Sequence, residues 1–428
     1  MILVNIGILG LGTVGGGVVN VLNKNQAQIT RQSGDSINVT HVAVRETTQT
    51  RICPTKHLKL TQDPFKIVND DDIDVVLELI GGTDLAKDLV EQAIKNGKHV
   101  VTANKALIAI HGNELLALAK DNNTHLLFEA AVAGGIPILK SLEQGLSANQ
   151  IELVVGIING TSNFILTEMR NKGRDFEDVL KEAQALGYAE ADPTFDIEGI
   201  DAAHKLAILA SMAFGCELQF NQVSTQGISK ISGEDIAFAA ELGYVIKHLG
   251  IAKKLDGKLQ MHVHPTLVPK THLLSNVDGI MNSVLVKGNA VGETLYYGAG
   301  AGAEATASSV IADLIDIIKG TVNHDVLGWQ SLINIPNCKT DDIESIFYLR
   351  LLATDKSGVL ADITATLANH NISVEAVIQK QIDQKNNAHI AIITNLIKTS
   401  ELNKAVAEIQ THNYIQEDVK IIFVETLN

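Results

Sequence analysis

LVNIGILGLGTVG, residues 3–15, decides the fold. Residues 4–9 form an apolar run of strand type. The turn Gly10-Leu11-Gly12-Thr13-Val14-Gly15 follows at once and opens a helical pattern. In a G-x-G-x-x-G turn the first glycine takes the tight bend and the second lets a pyrophosphate approach the backbone. The third allows the helix to pack on its strand, while the helix start stabilises negative charge. Alone the motif is a weak signal. The strand before it and the helix after it favour a dinucleotide held by Gly10, Gly12, Thr13, Val14 and Gly15.

Working outward, further strand-like runs fall at residues 39–44, 74–80, 99–102 and 125–128, with helical stretches at 85–96 and 113–120. This alternation predicts an α/β fold, a Rossmann-type parallel sheet with helices on both faces, over residues 1–133. Residues 23–36 are polar and read as the exposed end of the first helix plus a loop. The second strand ends Ala43-Val44-Arg45-Glu46. An arginine there pairs with a 2′-phosphate, which favours NADP. Glu46 beside it would serve the ribose hydroxyls of NAD, so NAD stays possible. A solvated strand-end charge is the plain reading of Arg45.

From residue 134 the pattern changes. A strand at 151–158, helices at 175–185 and 201–213, several short strands across 263–297 and a helix at 303–319 predict an α+β domain over 134–320. Residues 321–344 read as a linker. Residues 345–428 follow the order β-α-β-β-α-β of a small ferredoxin-like domain. Every candidate reacting residue precedes residue 319, so this last domain is expected to be dispensable for folding and turnover.

With 428 residues, 46% hydrophobic and a mean hydropathy of +0.15, the chain can bury a large core and is not disordered. Aromatics at 4% make that core aliphatic. Lys and Arg number 34 against 49 Asp and Glu, a formal charge of −15, which repels phosphate backbones and argues against a nucleic-acid partner. No run of about 18 apolar residues predicts a membrane span. Cys53, Cys216 and Cys338 have no paired spacing, so no disulfide framework or thiolate zinc site is readable. The start lacks the basic residues and cleavage site of a signal peptide. A cytoplasmic setting is expected.

Four segments go beyond what pattern and spacing can name. VTANKAL (101–107), FEAAVAGGIP (128–137), GIINGTSNFIL (156–166) and GYAEADPTFDIEGIDAAHKLAIL (187–209) resemble the homoserine dehydrogenases. The resemblance runs in order to about residue 320, and the C-terminal part resembles an ACT domain. No kinase domain precedes the glycine turn, as in the monofunctional form of the family. The resemblance implies NAD(P)H-dependent reduction of L-aspartate 4-semialdehyde to L-homoserine, in the biosynthesis of threonine, methionine and isoleucine. Two alternatives are another Rossmann oxidoreductase of amino-acid-derived aldehydes and a non-catalytic amino-acid-sensing ACT protein. A pure sensor has no need of Lys105, Glu190, Asp201 and Lys205 together.

Reducing an aldehyde needs a hydride on carbon and a proton on oxygen, and a lysine ammonium supplies the proton and stabilises the growing alkoxide. By spacing alone, Lys205 four residues after Asp201 is a helix salt bridge. The resemblance makes Lys205 the proton donor and Lys105 a second lysine near the nicotinamide, at a strand end where ligands bind. It assigns the substrate's ammonium to Glu190, and makes Asp196 and Asp201 the acids that hold substrate and orient lysine. Gly302, in the loop 298–302, is expected to touch the nicotinamide half. Glu129, with the carbonyls of Val132, Gly134 and Ile136, matches a site for sodium or a similar monovalent cation, and oxygen-only ligands suit a hard cation. The loop Asp355-Lys356-Ser357-Gly358-Val359-Leu360 is the expected effector site, for threonine. A homodimer through the second domain is implied, with ACT pairing extending it to a tetramer. His262 and His264 share a strand face but lack a third metal ligand, and Asn159-Gly160-Thr161 reads as a substrate-side turn rather than a glycosylation site.

Overall fold

The structure, a computed structural model, describes residues 3–322, 327–382 and 386–427. Residues 323–326 of the expected linker lie outside the described residues. The first layer comprises β1 (Leu3–Leu9), α1 (Thr13–Lys24), α2 (Gln26–Ser33), β2 (Ser36–Ala43), β3 (Lys59–Thr61), α3 (Phe65–Val68), β4 (Val75–Glu78), α4 (Asp84–Lys95), β5 (His99–Thr102), α5 (Lys105–Asp121) and β6 (Leu126–Leu127). Its sheet runs β3-β2-β1-β4-β5-β6, every pair parallel, which is the doubly wound order. Helix α4 shows why these segments are helical: Ala86, Leu89, Val90, Ala93 and Ile94 fall on one face and are all buried. The segment expected as loop at 23–36 is instead the helix α2. Ile29 anchors it in the core, and Gly34, at φ 86°, ends it.

The second domain holds α6 (Ile138–Lys140), β7 (Ile151–Ile157), α7 (Gly160–Lys172), α8 (Phe176–Ala185), α9 (Thr194–Ile197), α10 (Ile200–Phe214), β8 (Ser224–Thr225), α11 (Gly233–Glu241), β9 (Tyr244–Leu255), β10 (Lys258–Pro269), β11 (Met281–Gly288), β12 (Gly292–Ala299) and α12 (Ala303–Lys319). The expectation of several short strands across 263–297 is corrected, because β9 and β10 form one long antiparallel hairpin. Lys247 and His248, both buried within β9, disguise that strand as a polar segment. Helix α12 leaves the second domain and packs on α1, with Ala307, Val310, Ile311 and Leu314 in the core of the parallel sheet. Glycine permits this approach: a Cβ on Gly17 would sit 2.2 Å from the carbonyl oxygen of Ala303.

The C-terminal domain contains β13 (Glu344–Thr354), α13 (Val359–Asn369), β14 (Val374–Ile382), β15 (Asn387–Thr394), β16 (Ile397–Lys398), α14 (Thr399–Gln410) and β17 (Lys420–Val424). It is not a detachable bead. The second sheet runs β12-β11-β7-β9-β10-β17-β13-β15-β14, continuous across both domains through the β10–β17 pairing. One face of the C-terminal sheet packs on α13 and α14. On the other face Tyr348, Ala391 and Ile422 share a core with α7, α8 and α11. Arg350 on β13 forms a buried ion pair with Asp235 on α11, Nε to Oδ1 at 2.5 Å. No helix among the described residues is long and apolar enough to cross a membrane.

Candidate active site

Two helix starts build the floor of a cavity of about 560 Å³ between the first two domains. Helix α5 begins at Lys105 just beyond β5, and Asn104 caps it by accepting from the Leu107 amide. Helix α10 follows Gly199, which at φ 84° turns the chain so that Asp201 enters the first turn. Lys205 stands one turn further along. Its Nζ donates to Asp201 Oδ2 at 2.7 Å and to the Ile158 carbonyl at 2.7 Å. An ammonium has three donors, so one remains for the cavity. Lys105 Nζ lies 3.2 Å from the other oxygen, Asp201 Oδ1. Asp201 is 4% exposed. Burial works to raise its carboxyl, but the charges of Lys205 and Lys105, with hydrogen bonds from Lys205 and Asn159, hold it well below the usual carboxylate range.

Asn159 caps α7 through its Oδ1 and turns its amide the other way, donating to Asp196 Oδ1 and Asp201 Oδ2, each at 2.8 Å. It thereby ties α9 to α10. Burial raises the Asp196 carboxyl despite that hydrogen bond. Glu190 is exposed at the rim and lines the same cavity as Asp196, Asp201, Lys105 and Lys205. The cavity therefore offers ammonium donors on its floor and carboxylates on its wall.

The same cavity reaches Val14 at the start of α1, and Gly302 at the start of α12. A second cavity, about 580 Å³, is lined by Gly10, Gly12 and Arg45. The three glycines behave as the motif requires. A Cβ on Gly10 would meet the Leu79 carbonyl oxygen at 2.6 Å, and one on Gly15 would meet the Gly10 carbonyl oxygen at 2.1 Å. At Gly12 nothing lies within 4 Å, so the loop leaves open room where a phosphate would approach. Thr13, exposed, stands between the two cavities in sequence. Arg51 also lines the second cavity and braces the loop, donating to the carbonyls of Leu11 at 3.2 Å and Glu46 at 2.6 Å. The Glu46 carboxylate accepts from Thr48 Oγ1 at 3.0 Å.

Glu129 is 3% exposed, and its two oxygens accept from the amides of Leu139 and Lys140 at 2.9 and 2.8 Å. Its own amide donates to Asp313 Oδ2 at 2.8 Å. Burial and then repulsion from Asp313 push the Glu129 carboxyl up to about 7, and burial pushes Asp313 to about 6. Val132, Gly134 and Ile136 follow in one tight turn, with Ala133 and Gly134 both at positive φ. The Gly134 carbonyl already accepts from Ser309 Oγ at 2.6 Å, and that of Ile136 from the Ile138 amide at 2.8 Å.

Sequence reading had not singled out Arg51 or the double donation by Asn159. Arg51 lies in a polar stretch with no periodicity. Asn159 carried a usable signal, an asparagine directly before a helix, which is an N-cap pattern.

Known proteins share this domain architecture. The homoserine dehydrogenase family model matches residues 137–315, its NAD-binding domain matches 10–129, and the ACT domain matches 347–412. The homoserine dehydrogenase of Pseudomonas aeruginosa is 50% identical over 99% of both chains, and that of Helicobacter pylori is 43% identical over 98% of this chain and 99% of its own. The crystal structure of a homoserine dehydrogenase from Thiobacillus denitrificans superposes with a TM-score of 0.95 at 50% identity, covering 100% of this chain and 99% of that one. A hyperthermophilic archaeal homoserine dehydrogenase, solved in complex with NADPH, matches with a TM-score of 0.62 at 28% identity, over 74% of this chain and 97% of that one. A nicotinamide-binding parallel-sheet domain, a catalytic domain and a C-terminal ACT domain thus stand in one chain, which belongs to the homoserine dehydrogenase family.

Proposed function

We propose that in this homoserine dehydrogenase Lys205 gives the proton to the carbonyl oxygen of aspartate 4-semialdehyde. Lys105 stabilises the charge growing on that oxygen, and Asp201 holds both ammonium groups in place. Glu190 and Asp196 receive the substrate's ammonium. The nicotinamide, when bound, supplies the hydride. The observation that carries this reading is the single buried carboxylate of Asp201, one oxygen on each lysine, at the floor of a cavity that reaches the first turn of α1. The test is turnover of the Lys205→Ala chain followed by nicotinamide absorbance. Turnover is expected to collapse while NADPH still binds, and near-normal turnover overturns the role.

The cofactor is NADP in this reading. Arg45 and Arg51 both line the second cavity, where a 2′-phosphate would lie, and the Glu46 carboxylate is engaged by Thr48. The archaeal relative solved with NADPH adds support. Gly302 and the glycine loop hold its two ends.

A monovalent cation, sodium or a similar ion, sits with Glu129 and the carbonyls of Val132, Gly134 and Ile136. The donor set is all oxygen, and a buried carboxylate pushed up to about 7 gains from a neighbouring positive charge. Threonine acts at the ACT loop, where Gly358, at φ 97°, begins α13 with open space around it. Self-association as homodimer or homotetramer is supported by the two open ends of the long sheet, β12 with exposed Tyr297 and β14 with exposed Val377. Unpaired Cys53, Cys216 and Cys338 fit a reducing, cytoplasmic setting.

A further inference from the structure

Glu78 ends β4 with a fully buried side chain, and no step of the reaction proposed above uses it. Among the described residues no cation offsets its charge. A carboxylate buried in this way is costly unless hydrogen bonds satisfy it. Its donors come from two directions. Oε1 accepts from the Ile80 amide at 3.0 Å, within the turn that follows β4. Oε2 accepts from Thr102 Oγ1 at 2.6 Å, on the neighbouring strand β5, where Thr102 is its register partner. Burial raises the Glu78 carboxyl, and these hydrogen bonds oppose the rise. The Thr102 hydroxyl in turn accepts from the Asn104 amide at 2.9 Å. Asn104 donates through Nδ2 to the Gly82 carbonyl at 2.7 Å and caps α5 through Oδ1. The contacts thus close into a ring: Glu78, the turn 79–82, Asn104, Thr102 and back to Glu78. Both cavities meet at this ring. Leu79, Ile80 and Gly81 line the one at the glycine loop, while Ala103 and Lys105 line the one over Asp201.

We propose that Glu78 is a positioning residue, which through Thr102 and Asn104 locks the turn 79–82 to the start of α5 and so fixes Lys105 against Asp201. This role rests on the one given to Lys105 above. Packing alone does not ask for these groups, since valine would fill the space of Thr102. The hydroxyl is needed because it donates to the carboxylate and accepts from the Asn104 amide at once. Lys105 directly follows Asn104, whose side chain holds the turn with one atom and the helix start with another. A misplacement of about 1 Å is enough to cost about 10²-fold in rate, so a residue that never touches substrate can still set turnover.

Steady-state kinetics of the full chain with aspartate 4-semialdehyde and NADPH test this. Thr102→Val should lower kcat about tenfold or more, with a smaller rise in the KM for NADPH. Thr102→Ser, which keeps donor and acceptor, should recover most of the loss. Glu78→Gln should act in the direction of Thr102→Val, because an amide nitrogen accepts from neither the Ile80 amide nor the Thr102 hydroxyl. The two Thr102 variants decide the matter even where Glu78→Gln fails to fold. Added to Lys105→Ala, Thr102→Val should cost less than about twofold more, since the lysine it positions is gone. Near-normal turnover of Lys105→Ala alone removes the role of Lys105, and the positioning role with it. If Lys105→Ala collapses turnover and Thr102→Val still multiplies its full loss on top, Lys105 keeps its role and the positioning by Glu78 is overturned. An unchanged kcat in Thr102→Val, or a Thr102→Ser chain as impaired as Thr102→Val, also overturns it.

Discussion

Asp201 and Lys205 stand one turn apart on α10, with Oδ2 and Nζ at 2.7 Å and both side chains turned from solvent. The pair fixes where the ammonium can go, because Lys205 is also tethered to the Ile158 carbonyl. Lys205→Ala is expected to lower kcat at least about 10²-fold with NADPH binding retained, since general acid catalysis contributes about 10²–10⁴. Asp201→Asn should lower kcat as well. An amide oxygen can serve only one ammonium, and its NH₂ group then faces the other. Steady-state rates with cofactor titrations read both effects.

Cofactor choice turns on two arginines with different duties. Arg45→Ala should raise the KM for NADPH by roughly 10–150-fold, the worth of a charge-assisted pair, and leave NADH almost unchanged. Arg51→Ala should impair both cofactors, because Arg51 also holds the Leu11 carbonyl of the glycine loop. Equal effects of Arg45→Ala on the two cofactors would remove the 2′-phosphate assignment.

The buried carboxyls of Glu129 and Asp313, at about 7 and about 6, set a pH dependence. Both are raised above their unfolded values, so the folded state holds their protons more tightly. Their contribution to stability is full below about pH 4, the unfolded range, and is lost as pH rises toward 7. A cation bound at Glu129 offsets that loss, and competes with the proton. Sodium, compared with tetramethylammonium at equal ionic strength, should therefore raise the Tm more at pH 8 than at pH 6, by roughly a few degrees. Glu129→Gln should flatten the difference, and a sodium effect equal at both pH values would exclude the site.

Much of this was legible before any coordinates. The parallel sheet was readable because its strands, buried on both faces, are continuous apolar runs, as in VVLE and HVVT. The paired lysines and acids came through family resemblance, since spacing alone leaves Lys205 a helix salt bridge. Strand β9 stayed hidden because Lys247, 1% exposed, satisfies its ammonium on the Val277 carbonyl and Asp278, against the usual exclusion of lysine from the core. Helix α7 stayed hidden because its first turn, Thr161, Ser162 and Asn163, is polar yet buried. Asn163 donates there to the carbonyls of Val277, Gly279 and Met281. The joint between the domains could not be read at all, because β10–β17 pairing connects residues far apart in the chain.

That joint changes what a truncation means. A cut near residue 340 strips β17 from the edge of β10 and removes Arg350 and Tyr348, which both donate to the Asp235 carboxylate. Removing one partner of a buried pair costs about 3–5 kcal/mol. Arg350→Met in the full chain should lower the urea midpoint accordingly, and Arg350→Met/Asp235→Asn should recover part of it. A truncated chain as stable as the full one would show that the seam contributes little.

Regulation through the ACT loop is therefore better tested inside the intact chain. Gly358, at φ 97°, begins α13 and exposes the first amides of that helix, a place suited to a carboxylate. No atom lies within 4 Å of a Cβ placed there, so a side chain fits in space and is strained only by its backbone angle. Gly358→Ala and Gly358→Asp share that strain, of about 1–2 kcal/mol, and differ in charge. If threonine docks its carboxylate at this turn, initial rates against threonine concentration should show inhibition weakened in Gly358→Ala. They should show it abolished in Gly358→Asp, where a fixed carboxylate faces the incoming one. Equal inhibition of the two variants would move the effector away from this loop. A full-length enzyme indifferent to millimolar threonine would remove threonine as the effector.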